Sequence, residues 1–387
     1  MKIALFIKRI TLSTTVLFSA FYLQAQEIAP APPQLAAKSY VLMDAATGQV
    51  LINNNGDQRL PPASLTKLMT AYIATLEMKK GQVRPTDLVT ISEKAWKTGG
   101  SKMFVEVNKQ VSLEDLLHGI IIQSGNDASV AVSEYLAGSE DVFAEMMNKT
   151  AQQLGMNNSH FMNATGLPDP NHFSSAHDMA TLARAIIYED PAHYNIYKQK
   201  EFLWNKIKQP NRNLLLWRDN TVDGLKTGHT DEAGYCMVAS AKRNDLRLIA
   251  VLFGTNSEKA RAEETQKLLT YGFRFYENKT FYKKGDKLAT LKVWKGAQSE
   301  VPAGLSQDIS LTLLKPQFNG LHAQLSTQKQ LTAPIYAGQV VGKVEIKNAN
   351  NQVVYSTDLV ALQSVEQGGI FRRIWDSIVL FFKGLFN

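Results

Sequence analysis

The sequence predicts an α+β fold: an antiparallel sheet backed by helices, then a small all-β domain, then a terminal amphipathic helix. Three observations predict it. Alternating apolar segments occur near residue 39 and again over 234–253, with helical periodicity between them. Strands at both ends of a helical middle pair into one sheet that the helices cover. Past Thr280 only short alternating segments remain until Ile370.

The elements follow in order. Ser39–Asp44 alternates as a strand, Ala45-Ala46-Thr47-Gly48 turns, and Val50–Ile52 returns. Pro61-Pro62-Ala63 opens a helix expected from Ser64. Further helical patterns cover Leu113–Ile122, Ala128–Leu136, Val142–Leu154 and Asp178–Ile187. Gly234–Ala241 and Leu246–Phe253 form a hairpin around Lys242-Arg243-Asn244-Asp245, and Glu263–Tyr276 reads as the closing helix. In the last part, strands are expected at Thr290–Val293, Ile309–Leu314, Leu321–Leu325, Gln339–Ile346 and Val353–Leu359.

The two ends carry different signals. Lys2, Lys8 and Arg9 precede an apolar run from Ile10 to Leu23, broken by Gln24-Ala25-Gln26. That is the layout of a secretory leader cut after Ala25, which puts the mature protein outside the cytoplasm. Residues 26–37 are a Pro-rich lead-in. At the other end, Ile370, Phe371, Ile374, Trp375, Ile378, Phe381, Phe382, Leu385 and Phe386 share one helical arc. Arg372, Arg373, Asp376, Lys383 and Asn387 lie opposite, with Leu380 the one misfit. Such a helix is too interrupted by charge to span a bilayer and suits its interface. The expected division is a leader over 1–25, a catalytic domain over 26–280, a β domain over 281–365 and a membrane-anchoring helix over 366–387.

Composition removes other classes. The 387 residues are 44% hydrophobic and 20% charged, as folded chains of two or three domains are. Lys and Arg number 42 against 35 Asp and Glu, a net charge of +7. Three of those positive charges belong to the leader, and the rest are too diffuse for a nucleic-acid partner. The single cysteine, Cys236, excludes a disulfide framework and a cysteine-rich zinc site. It reads as a small core residue in its apolar strand. The seven histidines include no His-x-x-x-His pairing, so no metal or other cofactor is expected.

Three short motifs carry the chemistry: Ser64-Leu65-Thr66-Lys67 at a helix start, Ser124-Gly125-Asn126 in a break between helices, and Lys226-Thr227-Gly228 leading into the hairpin. Each alone is weak. Ser326-Thr327-Gln328-Lys329 and Lys97-Thr98-Gly99 repeat two of them in unfitting contexts. The ordered set belongs to serine acyl transfer. A serine hydroxyl needs a base. Ser64 and Lys67, three apart on a helix, share a face. A desolvated lysine has its pKa lowered enough to take the proton. Free N–H groups at the helix start suit a developing oxyanion. Ser124 and Asn126 offer a proton relay and an orienting amide. Lys226 and Thr227 suit a substrate carboxylate, and Gly228 admits the substrate backbone.

These residues resemble the penicillin-interacting serine enzymes, and more narrowly the low-molecular-mass penicillin-binding proteins that are D-alanyl-D-alanine carboxypeptidases. The likeness covers almost the whole mature chain. It includes Pro62–Lys67, Gln123–Ala128, Asp223–Thr230, Ala233-Gly234-Tyr235 and Lys267–Phe275. It implies a serine β-lactamase-like catalytic domain and a periplasmic enzyme held peripherally at the outer face of the inner membrane. Its partners would be peptidoglycan stem peptides, with β-lactam antibiotics as inhibitors. Ser64 would attack the D-Ala–D-Ala carbonyl, Lys67 take its proton, and Ser124 relay a proton to the leaving D-alanine. Asn126 would hold the peptide amide, and the N–H groups of Ser64 and His229 the oxyanion. Lys226, Thr227 and Arg261 would serve the proton network and the terminal carboxylate, with Arg212 a weaker candidate. Where the family often has a histidine before Gly-Leu-Asp, this chain has Thr165-Gly166-Leu167-Pro168, and no role is carried over there.

Three rival functions share these residues. A β-lactamase needs a base for fast deacylation, and Glu201-Phe202-Leu203-Trp204-Asn205 only superficially resembles the class A motif. A D,D-endopeptidase would use the same site on cross-links. A non-catalytic envelope scaffold has no reason to keep Ser64, Lys67, Ser124 and Lys226 together. The Lys94–Lys102 segment reads as a solvated loop, and the resemblance puts the matching loop at the border of the active site.

Overall fold

The computed structural model describes residues 30–328 and 330–385. The leader expected over 1–25 lies outside the described residues, as do Lys329 of the second Ser-x-x-Lys and Phe386 and Asn387 of the terminal helix. Strand β1 (Ser39–Asp44) forms as read, and β2 (Val50–Asn54) runs past its expected end. The helix expected from Ser64 begins differently. Residues Ala63–Thr66 form a 3₁₀ turn, and α1 (Lys67–Lys79) starts only at the lysine. Ala63 holds a left-handed φ of 48°, and the Leu65 N–H donates to Pro62 O at 3.1 Å. That early closure tightens the first turn.

Helices α2 (Asn126–Ala137), α3 (Glu140–Leu154) and α4 (Ala176–Glu189) follow. Ser139 and Ser175 cap α3 and α4 by accepting the N–H groups of Val142 and Asp178. Strands β3 (Val222–Thr230), β4 (Gly234–Arg243) and β5 (Leu246–Thr255) complete a sheet of order β2-β1-β5-β4-β3. All its pairings are antiparallel. Helix α5 (Glu258–Phe275) starts five residues before the expected Glu263, because Ser257 accepts from Ala260 N–H and caps it there.

The sheet has two buried faces, and strand alternation decides which residue joins which. Val41, Met43, Val238, Ile249 and Val251 pack with α1, α2 and α4. Leu42, Met237, Ala239, Leu248 and Ala250 pack with Leu268 and Leu269 of α5. The layers hold the start of α1, the start of α2 and strand β3 around one cavity.

The last part is all-β as expected. Six strands stand in the order His322–Thr327, Val340–Lys347, Val353–Ala361, Glu300–Gly304, Lys287–Trp294 and Leu331–Thr332. A further strand, Tyr276–Tyr282, pairs with Ile309–Leu314 and runs through the boundary expected at 280/281. The Thr312 hydroxyl donates to Asp44 Oδ2 at 2.7 Å, tying this part to β1.

The chain ends in α6 (Ile370–Leu385). Its aromatic side is open: Phe371 is 88% and Trp375 67% exposed. The misfit Leu380 finds its reason here. Asp376 accepts the Lys295 backbone N–H, and Lys383 Nζ lies 5.9 Å from the centre of the Trp294 ring. Leu380 sits between them on the same side of the helix, half-buried. That side rests on the β domain, so the apolar arc faces away from it. Among the described residues no helix is long and apolar enough to cross a membrane.

Candidate active site

The Ser-x-x-Lys turn brings Ser64 and Lys67 together through its pitch. A 3₁₀ turn nearly eclipses residues three apart. Lys67 Nζ donates to Ser64 Oγ at 3.0 Å and to Thr165 O at 2.6 Å. Lys67 is 1% exposed. Burial, seconded by the Arg212 charge, lowers its pKa from 10.5 to about 7, while Asp127 opposes the shift.

Ser124 follows a π turn over Gly119–Gln123 and itself holds a left-handed φ of 68°. Its hydroxyl is buried without a hydrogen-bond partner, so strain and an unmet polar atom meet at one residue. Asn126 opens α2. Its Nδ2 donates to Gly99 O and its backbone N–H to Ser101 O, both at 2.7 Å. This corrects the reading of 94–102 as a plain solvated loop. Residues Glu93–Lys97 form a helical turn, and the loop after it is fastened to the site. Asp127 anchors the next stretch by accepting the N–H groups of Met103, Phe104 and Val105.

The Lys-Thr-Gly residues sit in β3 against the Ser64 turn. Lys226 is buried and donates to Thr227 O at 3.0 Å. Burial first, then the Lys67, Arg212 and Arg261 charges, pushes its pKa well below 10.5. Gly228 faces the Ser64 turn directly. A Cβ there would stand 3.2 Å from Ser64 N and 3.0 Å from Pro62 O. His229 lies against Tyr235 with the rings tilted by 32° and their centres 4.0 Å apart. Arg261 is buried, with Nη2 donating to Glu258 Oε1 at 3.0 Å and Nη1 to Gly228 O at 3.4 Å, while its Nε has no partner.

Ser64, Ser124, Asn126, Thr227, His229 and Arg261 line one cavity of about 450 Å³, with Arg212 beside them. Lys67 and Lys226 are buried next to Ser64 and Thr227. Glu201 does not line it. It stands on the hairpin Glu201–Trp204/Ile207–Pro210 and pairs with Lys208 at 2.7 Å. Cys236 is buried opposite Gly228 in the register, and burial pushes its thiol up to about 11. Among the described residues no group of three or more His, Cys, Asp or Glu could hold a metal ion.

Several contributors went unread in the sequence. Thr165 serves through its carbonyl, Gly99 likewise, and Glu258 lines the cavity as the partner of Arg261. A carbonyl gives no sequence signal, since every residue has one. Glu258 had a signal in its place three residues before Arg261, at the start of a helix.

A β-lactamase-like α+β fold with these three motifs around one cavity defines a penicillin-interacting serine enzyme. The comparisons narrow that class. Residues 26–257 match the family model for D-alanyl-D-alanine carboxypeptidase, and residues 276–367 match that for the penicillin-binding protein 5 C-terminal domain. The D-alanyl-D-alanine carboxypeptidase DacC of Escherichia coli is 44% identical over 363 residues, 92% of this chain and 90% of the relative. DacA of Haemophilus influenzae is 43% identical over 385 residues, 97% of this chain and 98% of the relative. The crystal structure of penicillin binding protein 5 from Haemophilus influenzae superposes with a TM-score of 0.83 at 43% identity, covering 87% of this chain and 99% of that one. The chain belongs to the D-alanyl-D-alanine carboxypeptidase family and is a serine-type hydrolase of that activity.

Proposed function

We propose that the enzyme removes the terminal D-alanine of peptidoglycan pentapeptide stems through an acyl intermediate on Ser64. One observation carries this reading: buried Lys67, with a pKa lowered to about 7, lies 3.0 Å from Ser64 Oγ. A lysine partly neutral near pH 7 accepts the serine proton as Oγ attacks the carbonyl. The new oxyanion takes the N–H groups of Ser64 and His229. Collapse breaks the C–N bond, and Ser124 passes a proton to the leaving D-alanine. Water then releases the shortened stem. Asn126 exchanges Gly99 O for the substrate's peptide group. Thr227 and Arg261 receive the terminal carboxylate, Lys226 supports the proton network, and Arg212 adds positive potential at the rim.

Penicillins acylate Ser64 by the same route. Glu201, tied to Lys208 on its hairpin, is not placed to activate a deacylating water, so the adduct is expected to persist. The test is a pair of measurements on purified protein. A soluble pentapeptide ending in D-Ala–D-Ala should lose one D-alanine. Intact-mass spectra after penicillin should show one long-lived adduct, mapped to Ser64. An adduct on another residue, or rapid recovery of the free mass, would overturn the assignment.

The same reading gives the chain its place in the cell. A leader over 1–25 sends it to the periplasm, residues 26–280 carry the catalysis, 281–365 form the β domain, and 366–387 attach it to the outer face of the inner membrane. The exposed Phe371, Trp375, Phe381 and Phe382 on one side of α6 support this. Deleting residues 370–387 is expected to move the protein from the membrane to the soluble fraction. D-alanine release from a soluble peptide should stay within about twofold of the parent, because no residue of α6 lines the cavity. Retention in washed membranes after the deletion would overturn the anchor.

A further inference from the structure

His172 is a buried titratable side chain that the mechanism above does not use, and its contacts lead to the nucleophile. Its ring is packed edge-on against Phe161, with centres 5.7 Å apart. The Met162 backbone N–H donates to Nδ1 at 3.2 Å, so the ring proton sits on Nε2. Nε2 lies 2.8 Å from Thr66 Oγ1. Burial, the first cause, lowers the pKa to about 4. Asp169 opposes that shift, and His160 and Lys67 add to it. The ring is therefore neutral at working pH and donates to Thr66.

Thr66 is the residue at which the 3₁₀ turn carrying Ser64 becomes the α-helix carrying Lys67. The loop ahead of His172 is laid along that turn at three points. Thr70 Oγ1 donates to Ala164 O at 2.8 Å, Lys67 Nζ donates to Thr165 O, and Gly166 lies against the turn itself. A Cβ on Gly166 would fall 1.8 Å from Ala63 O and 2.9 Å from Thr66 Oγ1, and the residue holds a φ of +82°. Two of these contacts use loop carbonyls and the third is bare backbone. His172 supplies a side-chain hydrogen bond from this segment to the residue between nucleophile and base.

We propose that His172 is a positioning residue for acylation: its Nε2–H bond to Thr66 sets the pitch of the Ser64–Lys67 turn, and with it the Lys67–Ser64 contact. The proposal rests on the reading of Ser64 as nucleophile and Lys67 as base. The geometric reason is short. Ser64 and Lys67 lie on either side of Thr66, so a rotation at Thr66 moves Nζ relative to Oγ. Displacements of about 1 Å in a reacting pair cost up to ~10²-fold in rate.

Three conservative substitutions separate positioning from support. His172→Gln keeps a donor at the Thr66 end and loses the acceptor for Met162 N–H. His172→Asn keeps the acceptor near Cβ but is too short to reach Thr66. Thr66→Val removes the acceptor hydroxyl at nearly constant shape. The full chain and these variants are compared by the second-order rate of penicillin acylation, by kcat and KM for the pentapeptide, and by melting temperature. Acylation should fall on the order of tenfold in His172→Asn and in Thr66→Val. It should stay within about threefold in His172→Gln, whatever the melting temperatures. The loss should lie in kcat, since the Thr66 hydroxyl bonds His172 and not the groups that receive the terminal carboxylate. The double variant Thr66→Val/His172→Asn should be no slower than either single one. Equal losses in Gln and Asn, losses that follow melting temperature, or multiplicative losses in the double variant would overturn the proposal. Mapping the adduct in the parent keeps the two readings apart. An adduct away from Ser64 sinks the nucleophile assignment, whereas the ordering of Gln and Asn judges His172.

Discussion

Lys67→Met is expected to abolish acylation while raising the melting temperature. The kinetic half follows from the role proposed for Lys67 as the base. With no group to accept the Ser64 proton, kcat/KM should drop on the order of 10⁴-fold or more, close to the loss in Ser64→Ala. The stability half follows from the same shift. A lysine whose pKa falls from 10.5 to about 7 on folding binds its proton less well in the native state than in the unfolded one. The cost to folding is fully present below pH 7 and disappears as pH rises toward 10.5. Near neutral pH it is on the order of a few kcal/mol. Methionine matches the shape and has no charge to desolvate. It leaves Thr165 O without its donor, which returns about 1–3 kcal/mol. The net gain should be of order 1–2 kcal/mol near pH 7, a few degrees in melting temperature. Thermal melts from pH 6 to 10 test this, and the difference from the parent should narrow as pH rises. A variant less stable than the parent at every pH, or a difference flat with pH, would refute the buried-base account. The acylation rate of the parent should in turn climb with pH through about 7, as Lys67 loses its proton.

That tension between base and fold explains which parts of the site the sequence could reveal. Side chains with chemistry at fixed spacing were readable: Ser64 and Lys67, Ser124 and Asn126, Lys226 and Thr227 all reach one neighbourhood. The atoms that tune them were not. Thr165 holds Lys67 through a carbonyl, and Gly99 holds Asn126 the same way. The decoy Lys97-Thr98-Gly99 therefore touches the site after all, through a backbone oxygen and not as a substrate motif. The fold shows a parallel limit. Long periodic elements were legible to within a few residues, and Ile309–Leu314 to the residue. Glu300–Gly304 was missed because Pro302 and Gly304 read as breakers, and Leu331–Thr332 because two residues carry no period. Leu380 broke the amphipathic wheel of α6 for a reason no wheel contains, namely the side that rests on Trp294 and Lys295.

Gly228→Ala should cut kcat about 10²- to 10³-fold while leaving KM nearly unchanged. The added methyl would meet Pro62 O at 3.0 Å and the backbone nitrogens of Ser64 and Leu65 at 3.2 Å. All three are main-chain atoms of a turn already tightened by Ala63, so none moves without carrying Ser64 with it. Ser64 N–H is the donor proposed for the oxyanion, and a carbon beside it both crowds that oxygen and tilts the turn. Thr227 and Arg261 stay in place, so the carboxylate contacts that set ground-state binding survive. Gly272→Ala is the control that separates crowding in general from crowding at this point. Its methyl would first meet Leu248 Cδ1 at 2.5 Å and Leu42 Cδ2 at 2.7 Å, the far ends of core side chains on α5's face of the sheet. It should cost about 1–3 kcal/mol of stability and leave kcat near the parent value. Steady-state kinetics and melts on both variants give the comparison. If Gly228→Ala loses stability but keeps kcat, the closeness of β3 to the Ser64 turn is packing alone. If kcat collapses while the fold persists, that closeness is part of the oxyanion site, and glycine is required there because any side chain would occupy the space of the reacting oxygen.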